Sequence, residues 1–568
     1  MKSSDFIIEE LYRNGTTKIF GYIGGMIAHL VDSIYKNPNV EMINTVTEQG
    51  AGFAAEGYAR ANDTFSVAIA TSGPGATNLI TPIANCYFDS TPVLFITGQV
   101  NTYEYRKYPN IRQNGFQETN IVDMVKPVTK YAKMITNVED IKYEIQKALY
   151  TMQSGRKGPV LLDIPMDIQR LEVDEKTLKG FICPPKSEYQ TNVEDVEKAI
   201  KTANRPLVLV GNGVSLANAK EELKVFLQKS KLPVVESLHG ISSVEKYENN
   251  AGLIGTYGNR YGNLALADCD TLLVLGARLD IRQTGSDLSV FENKNIIQVD
   301  IDENELACDK LKKTVIKSDI KVFLKELNKF DFELNIDEWN EQICDWKCRY
   351  DDNSKHFSVA NKFLTKIFEN SKENDIFTSD VGQNQMWAAQ SAKLKAGQKF
   401  LTSGGHGCMG FALPAAVGGG YNSRSIVITG DGGMQMNIQE LATAVVEEVP
   451  VTVCILNNYY LGMVRQMQQL FYGKRYSATC LRRRRSCPAD CKGPNKNCPP
   501  YEPDFVKLAE SYGAHGIRVT EASEIAPALA QAKANKDAPT IIEFLIATDE
   551  LVLPMVKSGN PMSEMILK

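Results

Sequence analysis

The sequence predicts an α/β fold built from three doubly wound parallel-sheet domains. Short apolar segments that end in glycine turns alternate with amphipathic segments of helical period along most of the 568 residues. Such alternation is typical of parallel sheets, whose strands are buried under helices on both faces. Two polar stretches, at about 169–195 and 330–357, divide the alternation into three parts. We therefore expect domains at 1–168, 190–330 and 358–568.

The predicted first domain opens with an amphipathic helix, "DFIIEELYRNG", that ends at a glycine. Three apolar runs follow as strand candidates, namely "FSVAIATSGPG", "TPVLFITG" and "GPVLLDIPMDI". In the second domain the candidates are "RPLVLVGNGV", "LPVVES", "DTLLVLGARLD" and "NIIQVDID". In the third they are "DIFTSDVG", "SIVITGDGG", "VTVCILNN" and "PTIIEFLIA". Each domain therefore has enough strands for a sheet of its own.

The composition is that of an ordinary globular chain. Hydrophobic residues make up 43% of it, charged residues 23%, and the net charge is −5, which is not the basic balance of a nucleic-acid or anionic-membrane binder. The segment 1–15 carries acidic side chains where a secretion signal needs an apolar core. No apolar run approaches the roughly 20 residues that span a bilayer. We therefore expect a cytoplasmic protein without nucleic-acid or membrane partners.

The strongest chemical signal is a pair of strand ends in the third domain. Gly430, Asp431 and Gly432 close one strand, and Asn457 and Asn458 close the next after an intervening helical segment. Glycine lets backbone N–H groups approach a phosphate closely, and Asp431 and Asn458 supply the hard oxygens that Mg²⁺ prefers. Successive parallel strands end at one sheet edge, so both oxygens can face one diphosphate. Two ordinary strand-end turns are the alternative interpretation.

These paired motifs resemble the diphosphate site of thiamine-diphosphate enzymes. Further segments, such as "TEQGAGFAAEGYAR", "ATSGPGATNL" and "SGGHGCMGFALPAAVG", are similar to the acetolactate synthase large subunit, in order and over nearly the whole chain except about 481–500. The resemblance implies a pyrimidine-binding first domain, a central domain and a diphosphate-binding last domain. It also implies thiamine diphosphate and Mg²⁺ as cofactors. The implied reaction is decarboxylation of pyruvate, or a similar 2-keto acid, with transfer of the two-carbon unit to a carbonyl acceptor.

The resemblance also implies roles for single residues. Asp431, Asn458 and the backbone carbonyl of Tyr460 would hold Mg²⁺, and Glu48 would hydrogen-bond the aminopyrimidine ring of the cofactor. Taken alone, Glu48 would normally be interpreted as a helix cap at the surface, and the flanking "GFAAEGYAR" and "ATSGPGATNL" favour the cofactor role instead. The other implied cofactor positions are Gly407, Met409, Gly430, Gly432 and Met463. The implied positions around the reaction centre are Gly25, Gln117 and His406.

The central domain and the assembly state follow from the same resemblance. Arg278, Asp280, Arg282 and Asp300 resemble positions of a flavin site. FAD binding is one expectation, and a dinucleotide-type fold that binds no flavin is the other. The family implies a homodimer or homotetramer, in which Glu48 of one chain serves the cofactor held by the last domain of another.

The chain departs from its family around the predicted acceptor. Met467 stands where biosynthetic acetolactate synthases carry a tryptophan, and Ile23 and Met26 replace a usual proline and alanine. His406 replaces an apolar residue, and the link "GQVNTYEYRKYPNIRQNGFQE" is longer than usual. The acceptor therefore stays open between a second pyruvate and another carbonyl compound, such as a nucleotide-linked keto-sugar. Simple decarboxylation, C–C hydrolysis and a non-catalytic relic are further alternatives, of which the intact cofactor motifs disfavour the relic.

The segment "CLRRRRSCPADCKGPNKNCPP", at 480–500, falls where the family has a mobile segment that closes over the substrate. Its cysteines, Cys480, Cys487, Cys491 and Cys498, could hold zinc or an iron–sulfur cluster. A flexible loop with free or oxidised thiols, or with a disulfide pair, is the alternative. The four arginines could grip an anionic acceptor or lie solvated. The other cysteines are scattered, mostly in apolar or helical settings, where packed reduced thiols are expected.

Overall fold

The computed structural model describes residues 1–105, 110–185, 189, 193–350, 358–488, 491, 498 and 503–567. These residues form three six-stranded sheets and one two-stranded ribbon. Every neighbouring pair within the six-stranded sheets is parallel. This arrangement confirms the predicted fold class.

The first sheet has the strand order β2-β1-β3-β4-β6-β5. Its strands are β1 (Lys18–Tyr22), β2 (Glu41–Asn44), β3 (Ser66–Ala70), β4 (Val93–Gln99), β5 (Tyr131–Met134) and β6 (Val160–Pro165). Its helices are α1 (Ser3–Arg13), α2 (Ala28–Lys36), α3 (Glu48–Ala61), α4 (Pro74–Asn78), α5 (Ile80–Asp89), α6 (Ile121–Val125), α7 (Ile141–Gln153) and α8 (Met166–Arg170). Successive residues of one strand, Ile19 and Phe20, enter two different apolar clusters, so helices cover both faces of the sheet.

The second sheet has the order β12-β11-β10-β7-β8-β9. Its strands are β7 (Pro206–Val210), β8 (Val234–Glu236), β9 (Asn250–Leu253), β10 (Thr271–Leu275), β11 (Asn295–Asp300) and β12 (Thr314–Lys317). Its helices are α9 (Val193–Thr202), α10 (Asn212–Leu216), α11 (Lys220–Ser230), α12 (Arg260–Asp268), α13 (Ile281–Thr284), α14 (Glu303–Leu306), α15 (Ile320–Leu327) and α16 (Asp337–Tyr350).

Helix α16 lies in the stretch 330–357 that the sequence predicts as a polar boundary. The structure differs because apolar side chains interrupt the charges at helical spacing: Ile336, Trp339 and Ile343 are buried in the core of the second sheet. The indole Nε1 of Trp339 also donates to the Pro206 carbonyl oxygen at 3.0 Å. This packing extends the second core as far as α16.

The third sheet has the order β14-β13-β15-β16-β18-β17. Its strands are β13 (Ile376–Ser379), β14 (Lys399–Thr402), β15 (Ser425–Gly430), β16 (Thr452–Asn457), β17 (His515–Val519) and β18 (Thr540–Leu545), and the ribbon is β19 (Met555–Val556) with β20 (Met565–Ile566). Its helices are α17 (Val359–Asn370), α18 (Gln383–Ser391), α19 (Ala412–Gly419), α20 (Asp431–Met434), α21 (Glu440–Val446), α22 (Gly462–Phe471), α23 (Phe505–Ser511) and α24 (Ile525–Ala534).

The first and third sheets are joined by helices α3 and α19. A methyl group on Gly57 would overlap the Ala415 carbonyl, and one on Gly418 would overlap the Ala54 carbonyl, so the two backbones touch where glycine permits it. Within the described ranges, no helix has the length and apolar composition needed to cross a bilayer.

Candidate active site

Two adjacent strand ends of the third sheet bring the predicted magnesium ligands together. Strands β15 and β16 pair in parallel, with Gly430 opposite Leu456, so Asp431 and Asn458 follow at the same edge. One Asp431 carboxylate oxygen accepts from the Tyr459 amide at 2.6 Å, and the Asn458 side-chain oxygen accepts from the Tyr460 amide at 3.0 Å. The Asp431 carboxylate is therefore held against the loop that carries the other two ligands.

The loop after β16 needs an unusual backbone. Tyr459 has φ of 67°, a left-handed conformation that non-glycine residues seldom adopt. The side-chain amide of Asn458 donates to Gln383 at 3.0 Å, which fixes the orientation of its carbonyl oxygen. Asp431 and Asn458 are 3% and 5% exposed, so both side chains are buried at this edge of the sheet.

A second loop places Met409 beside this edge. The Met409 methyl group lies 3.6 Å from the position that a Gly432 Cβ would occupy, whereas Gly407 has φ of 76° and no neighbouring atom within 4 Å of its own Cβ position. The Gly410 amide donates to both oxygens of the buried Asp380, at 2.9 and 3.0 Å. Burial raises the pKa of Asp380 to about 7. Asp380 thus holds the loop that presents Gly407 and Met409.

Asp380 and Glu440 are structural residues of the site that sequence reasoning missed. Glu440 is fully buried and accepts from the Thr47 amide at 3.0 Å, the Thr47 hydroxyl at 2.9 Å and the Val46 amide at 3.2 Å. These bonds fix the start of α3 against the third sheet. A strand-end acid such as Asp380 carries a weak sequence signal, but Glu440 sits inside an ordinary helical pattern and carries none.

Glu48 is the first residue of α3 and lies beside the glycine-containing segment that follows β3 in the first sheet. Its carboxylate accepts from the Asn78 side-chain amide at 3.0 Å, and its other oxygen would lie 3.1 Å from a Cβ on Gly75. Gln117, with φ of 63°, packs its Cβ 2.9 Å from the Cβ position of Gly73. The structure therefore gathers Glu48 and Gln117 around the segment that follows β3.

Gly25 lies on the neighbouring loop after β1. The Met26 amide donates to the Thr71 hydroxyl at 3.2 Å, which attaches this loop to the end of β3. No atom lies within 4 Å of a Cβ built on Gly25, so its backbone faces open space. Met463, predicted at the cofactor, is the second residue of α22 and packs partly against the core of the third sheet.

His406 lies at the rim of the site. Its ring stacks on Phe88, with ring centroids 5.5 Å apart and planes 15° from parallel. The buried Asp89 holds the adjacent backbone by accepting from the Gly404 and Gly405 amides at 3.1 and 2.7 Å. Burial favours a higher pKa for Asp89, but His239 and Arg60 outweigh it and bring that pKa down to about 2. An ionised Asp89 therefore positions the His406 loop.

A large cavity of about 800 Å³ lies between the first and second sheets. The four predicted flavin residues, Arg278, Asp280, Arg282 and Asp300, all line it, together with Phe88. Gly213 and Gly276 approach so closely that a side chain on either would overlap the other. The volume falls within the range of ligand and cofactor sites, roughly 300–1,000 Å³. Burial raises the pKa of Asp300.

The Cys/Arg-rich insert begins beside the loop that carries the predicted magnesium ligands Asn458 and Tyr460. Cys480 pairs with Tyr460 in an antiparallel bridge, the Leu461 amide donates to the Thr479 carbonyl at 2.9 Å, and the Leu481 amide donates to the Tyr459 carbonyl at 2.9 Å. Burial raises the pKa of the Cys480 thiol, and the nearby thiols raise it further, in the order Cys491, Cys498 and Cys487. Residues 106–109 of the long link, and 489–490, 492–497 and 499–502 of the insert, lie outside the described residues.

Comparisons with known proteins agree with this geometry. Three family models of thiamine pyrophosphate enzymes match: the N-terminal TPP binding domain over residues 1–124, the central domain over 193–327 and the C-terminal TPP binding domain over 380–544. The chain is 37% identical to the acetolactate synthase large subunit of Corynebacterium glutamicum, over 99% of this chain and 90% of the relative.

Two further relatives come from other lineages. The acetolactate synthase isozyme 2 large subunit of Escherichia coli is 36% identical over 100% of both chains. The chloroplastic acetolactate synthase 1 of Nicotiana tabacum is 34% identical over 100% of this chain and 85% of its own. The chain therefore belongs to the thiamine-diphosphate-dependent enzymes and, among them, to the acetolactate synthase large-subunit family.

Proposed function

We propose that the chain decarboxylates a 2-keto acid such as pyruvate and joins the two-carbon unit to a carbonyl acceptor, using thiamine diphosphate and Mg²⁺. The observation that carries this proposal is the convergence of Asp431, Asn458 and Tyr460 at one sheet edge, with Met409 against the same turn. Full-length similarity to acetolactate synthases supports the same reaction class.

The residues present fit the cofactor. A carboxylate, an amide oxygen and a backbone carbonyl are suitable ligands for a Mg²⁺ ion that is shared with a diphosphate. Among the described residues, no three His, Cys, Asp or Glu side chains form a metal-binding group, and this donor set contains only one of those side chains. The open backbone of Gly407 leaves room for a ring beside Met409. When bound, thiamine diphosphate supplies the electron sink for decarboxylation.

Glu48 has the position and chemistry of the acid that holds a proton at the aminopyrimidine ring. Its carboxylate is half-buried and is oriented by Asn78, as a group that exchanges a proton with a bound ring must be. Gln117 and Gly25 border the same opening and would contact the substrate side. We place His406 at this opening as well, where its ring, stacked on Phe88, can orient a substrate carbonyl.

A second copy of the chain would complete the site. Within one chain the Glu48 carboxylate is directed at Asn78 and Gly75 of its own sheet edge. Large apolar side chains near the two half-sites are exposed, including Ile23, Phe116 and Met436. A partner that covers them would bury this surface and bring its diphosphate site opposite Glu48. We therefore propose a homodimer or homotetramer with shared active sites.

We also propose that the 800 Å³ cavity binds FAD. Glycine backbones at Gly213 and Gly276 permit close approach of a dinucleotide, and the Asp300 carboxylate lies where a ribose hydroxyl could donate to it. Phe88 connects this cavity to His406, so a flavin ring would lie near the thiamine site. Absorbance of the purified protein in the visible region would test for the flavin directly.

A second candidate function is acyl transfer to an acceptor larger than pyruvate. Val464, Met467 and Phe471 occupy one face of α22 and are 46–48% exposed. The methionine side chain at position 467 is smaller and more flexible than the tryptophan that the family resemblance implies, so it leaves more space for an acceptor. The arginines of the insert could pair with a phosphate on that acceptor. A nucleotide-linked keto-sugar has the required carbonyl and phosphates.

Incubation of the purified enzyme with pyruvate alone separates these functions. Acetolactate as the main product supports the first candidate, whereas acetaldehyde indicates simple decarboxylation. Little turnover with pyruvate alone, followed by rapid carbon dioxide release when a nucleotide-linked keto-sugar is added, supports the second candidate. An enzyme that retains thiamine diphosphate but releases no carbon dioxide with any 2-keto acid would contradict the proposal.

A further inference from the structure

A second cavity, of about 60 Å³, lies where the three sheet domains meet. The first domain contributes Arg60 and Lys157 to its wall, the second contributes Lys220, and the third contributes Lys399. At roughly 10–15 Å³ for each water molecule, the cavity has room for about four waters. It can therefore hold one small polyatomic ion, but neither a nucleotide nor a flavin.

The side chains around this cavity carry more positive than negative charge. The cationic ones are Arg60, Lys157, Lys220 and Lys399. Asp63 is the one carboxylate among the described residues that line the cavity, and it pairs with Lys399 at 2.6 Å. Arg60 pairs with two buried acids behind the wall, Glu56 at 3.1 Å and Asp89 at 3.8 Å. These ion pairs occupy two of the four cations.

The other two cations, Lys157 and Lys220, have side chains without an ion-pair or hydrogen-bond partner among the described residues. Both residues are only partly exposed, and burial lowers the pKa of each amine. The charge of Lys399 lowers the pKa of Lys220 further, although Asp63 and Glu245 act in the opposite direction. Partly buried cations that lack a counter-ion destabilise a folded chain. An anion in the cavity would remove this cost.

We propose that Lys157, Lys220 and Lys399 bind one tetrahedral oxyanion of the size of inorganic phosphate. Such an anion accepts several charge-assisted hydrogen bonds at once, so it can serve three ammonium groups from three directions. The polar side chains of Thr64 and Asn218 also line the cavity and supply neutral donors. The oxyanion would pair both of the unpaired lysines and would offset the excess positive charge.

The proposed oxyanion would join the three domains close to a strand that leads to the active site. Lys157 lies shortly before β6, Lys220 begins α11, and Lys399 begins β14. Strand β14 ends at Thr402, directly before the segment 403–406 that carries His406, and Arg60 donates to the Thr402 carbonyl at 2.9 Å. Binding should therefore stabilise the arrangement of the domains and the strand before the His406 loop.

Titration of the full-length chain with inorganic phosphate tests the proposal, with calorimetry and thermal midpoints as the measurements. The protein is first saturated with thiamine diphosphate, Mg²⁺ and FAD, so that phosphate does not compete for the sites proposed for them. Chloride keeps the ionic strength constant. One phosphate should bind per chain and raise the thermal midpoint by roughly 2 °C or more. Sulfate should displace it, whereas chloride should not.

Variants of the unpaired lysines distinguish a binding site from a general salt effect. Lys157→Gln and Lys220→Gln should each weaken phosphate binding at least about tenfold, because each removes a charged donor. In phosphate-free buffer, Lys220→Gln should be at least as stable as wild type, since it relieves repulsion from Lys399 and removes a cation from the start of α11. The matched control is Lys224→Gln, at an exposed position of the same helix, which should bind phosphate like wild type.

Two outcomes would overturn the assignment. One is equal stabilisation of wild type, Lys157→Gln and Lys220→Gln by phosphate. The other is tighter binding of AMP than of phosphate, because the oxyanion would then belong to a nucleotide that extends from the larger cavity, whose wall shares Lys157.

The proposed oxyanion site is independent of the proposed thiamine chemistry, and one further pair of variants separates the two. Asp431→Ala should lose thiamine diphosphate but keep the response to phosphate. The response should disappear when Lys220→Gln is added to Asp431→Ala. A failure of the proposed function would therefore leave this result unchanged.

Discussion

Glu48 owes its position to three local features of the first sheet edge. Thr47 caps α3 by accepting from the Gly50 amide at 3.0 Å, Glu440 holds Thr47, and Asn78 orients the Glu48 carboxylate. Glu48→Gln keeps the size of the side chain and one acceptor oxygen for Asn78, but it removes the ability to exchange a proton. We expect a loss of kcat of at least about 100-fold, the range typical of a general acid–base residue.

Steady-state carbon dioxide release measures that loss. Thiamine diphosphate content and the thermal midpoint should stay near wild type, because no backbone contact changes. Gln49→Glu provides a matched control one residue away, since Gln49 contacts Asn437 of the third sheet and is not expected to reach the ring. Wild-type turnover in Glu48→Gln would contradict the assigned role.

The buried side chain of Glu236, at the end of β8, should make the free energy of unfolding depend on pH. It is 6% exposed, one of its oxygens has no hydrogen-bond partner among the described residues, and burial raises its pKa to about 8 despite Asn250 and Lys347. Between the ordinary value of 4.5 and about 8, the folded chain binds more protons than the unfolded chain, so the free energy of unfolding falls as pH rises. Glu236→Gln should remove this loss, which is worth at most about 5 kcal/mol.

Thermal midpoints recorded from pH 5 to pH 9 check this expectation. The variant should be more stable than wild type above pH 8, and the advantage should shrink towards pH 5. Glu248→Gln, at a side chain that is 75% exposed, serves as a control in the same sheet region. Parallel curves for Glu236→Gln and wild type would show that Glu236 is ionised in the folded chain.

At the scale of elements, α3 and α19 depend on close backbone contact. A Cβ on Gly418 would overlap the Ala54 carbonyl, whereas a Cβ on the adjacent Gly419 would meet side chains at ordinary distances of 3.4–3.5 Å. Gly418→Ala should therefore destabilise the chain by about 3 kcal/mol or more through overpacking. Gly419→Ala should be neutral or slightly stabilising, because alanine favours a helix. Urea unfolding midpoints compare the two, and equal effects would contradict the steric argument.

Helix α22 carries the prediction on the acceptor. Met467 lies on its exposed apolar face, and a tryptophan there would introduce the residue that the family resemblance implies. Met467→Trp should raise the share of acetolactate among the products from pyruvate and lower turnover with a larger acceptor, because the indole ring would reduce the space available to the acceptor. Tyr35→Trp, at a 90% exposed position of α2, is the control. An unchanged product ratio in Met467→Trp would place the acceptor elsewhere.

At the scale of the whole molecule, the sequence predicts the architecture better than the contacts between its parts. Glycine-ended apolar runs and the Asp431–Asn458 pair follow from local backbone chemistry, and the structure agrees with them. The roles of Asp380 and Glu440 depend on partners 30 and 393–394 residues away in the chain, which local patterns do not encode. Helix α16 is not predicted for a related reason. Its few apolar residues can be recognised as core residues only when the sheet that they cover is known.

The proposed sharing of each active site between two chains predicts that two inactive variants complement each other within one dimer. Glu48→Gln and Asp431→Ala should each be nearly inactive when expressed alone. In a mixed dimer, however, one site combines the intact Glu48 of one chain with the intact Asp431 of the other. Random assembly of the two variants should therefore restore about a quarter of wild-type activity, because half of the dimers are mixed and each has one complete site.

Co-expression with two different affinity tags, followed by purification of the mixed species, measures this restoration directly. The purified mixed dimer should reach about half of wild-type activity per chain. A matched mixture of Glu48→Gln with itself under both tags gives the background. If Glu48 served the Asp431 site of its own chain, neither site of the mixed dimer would be complete, and activity would stay at that background.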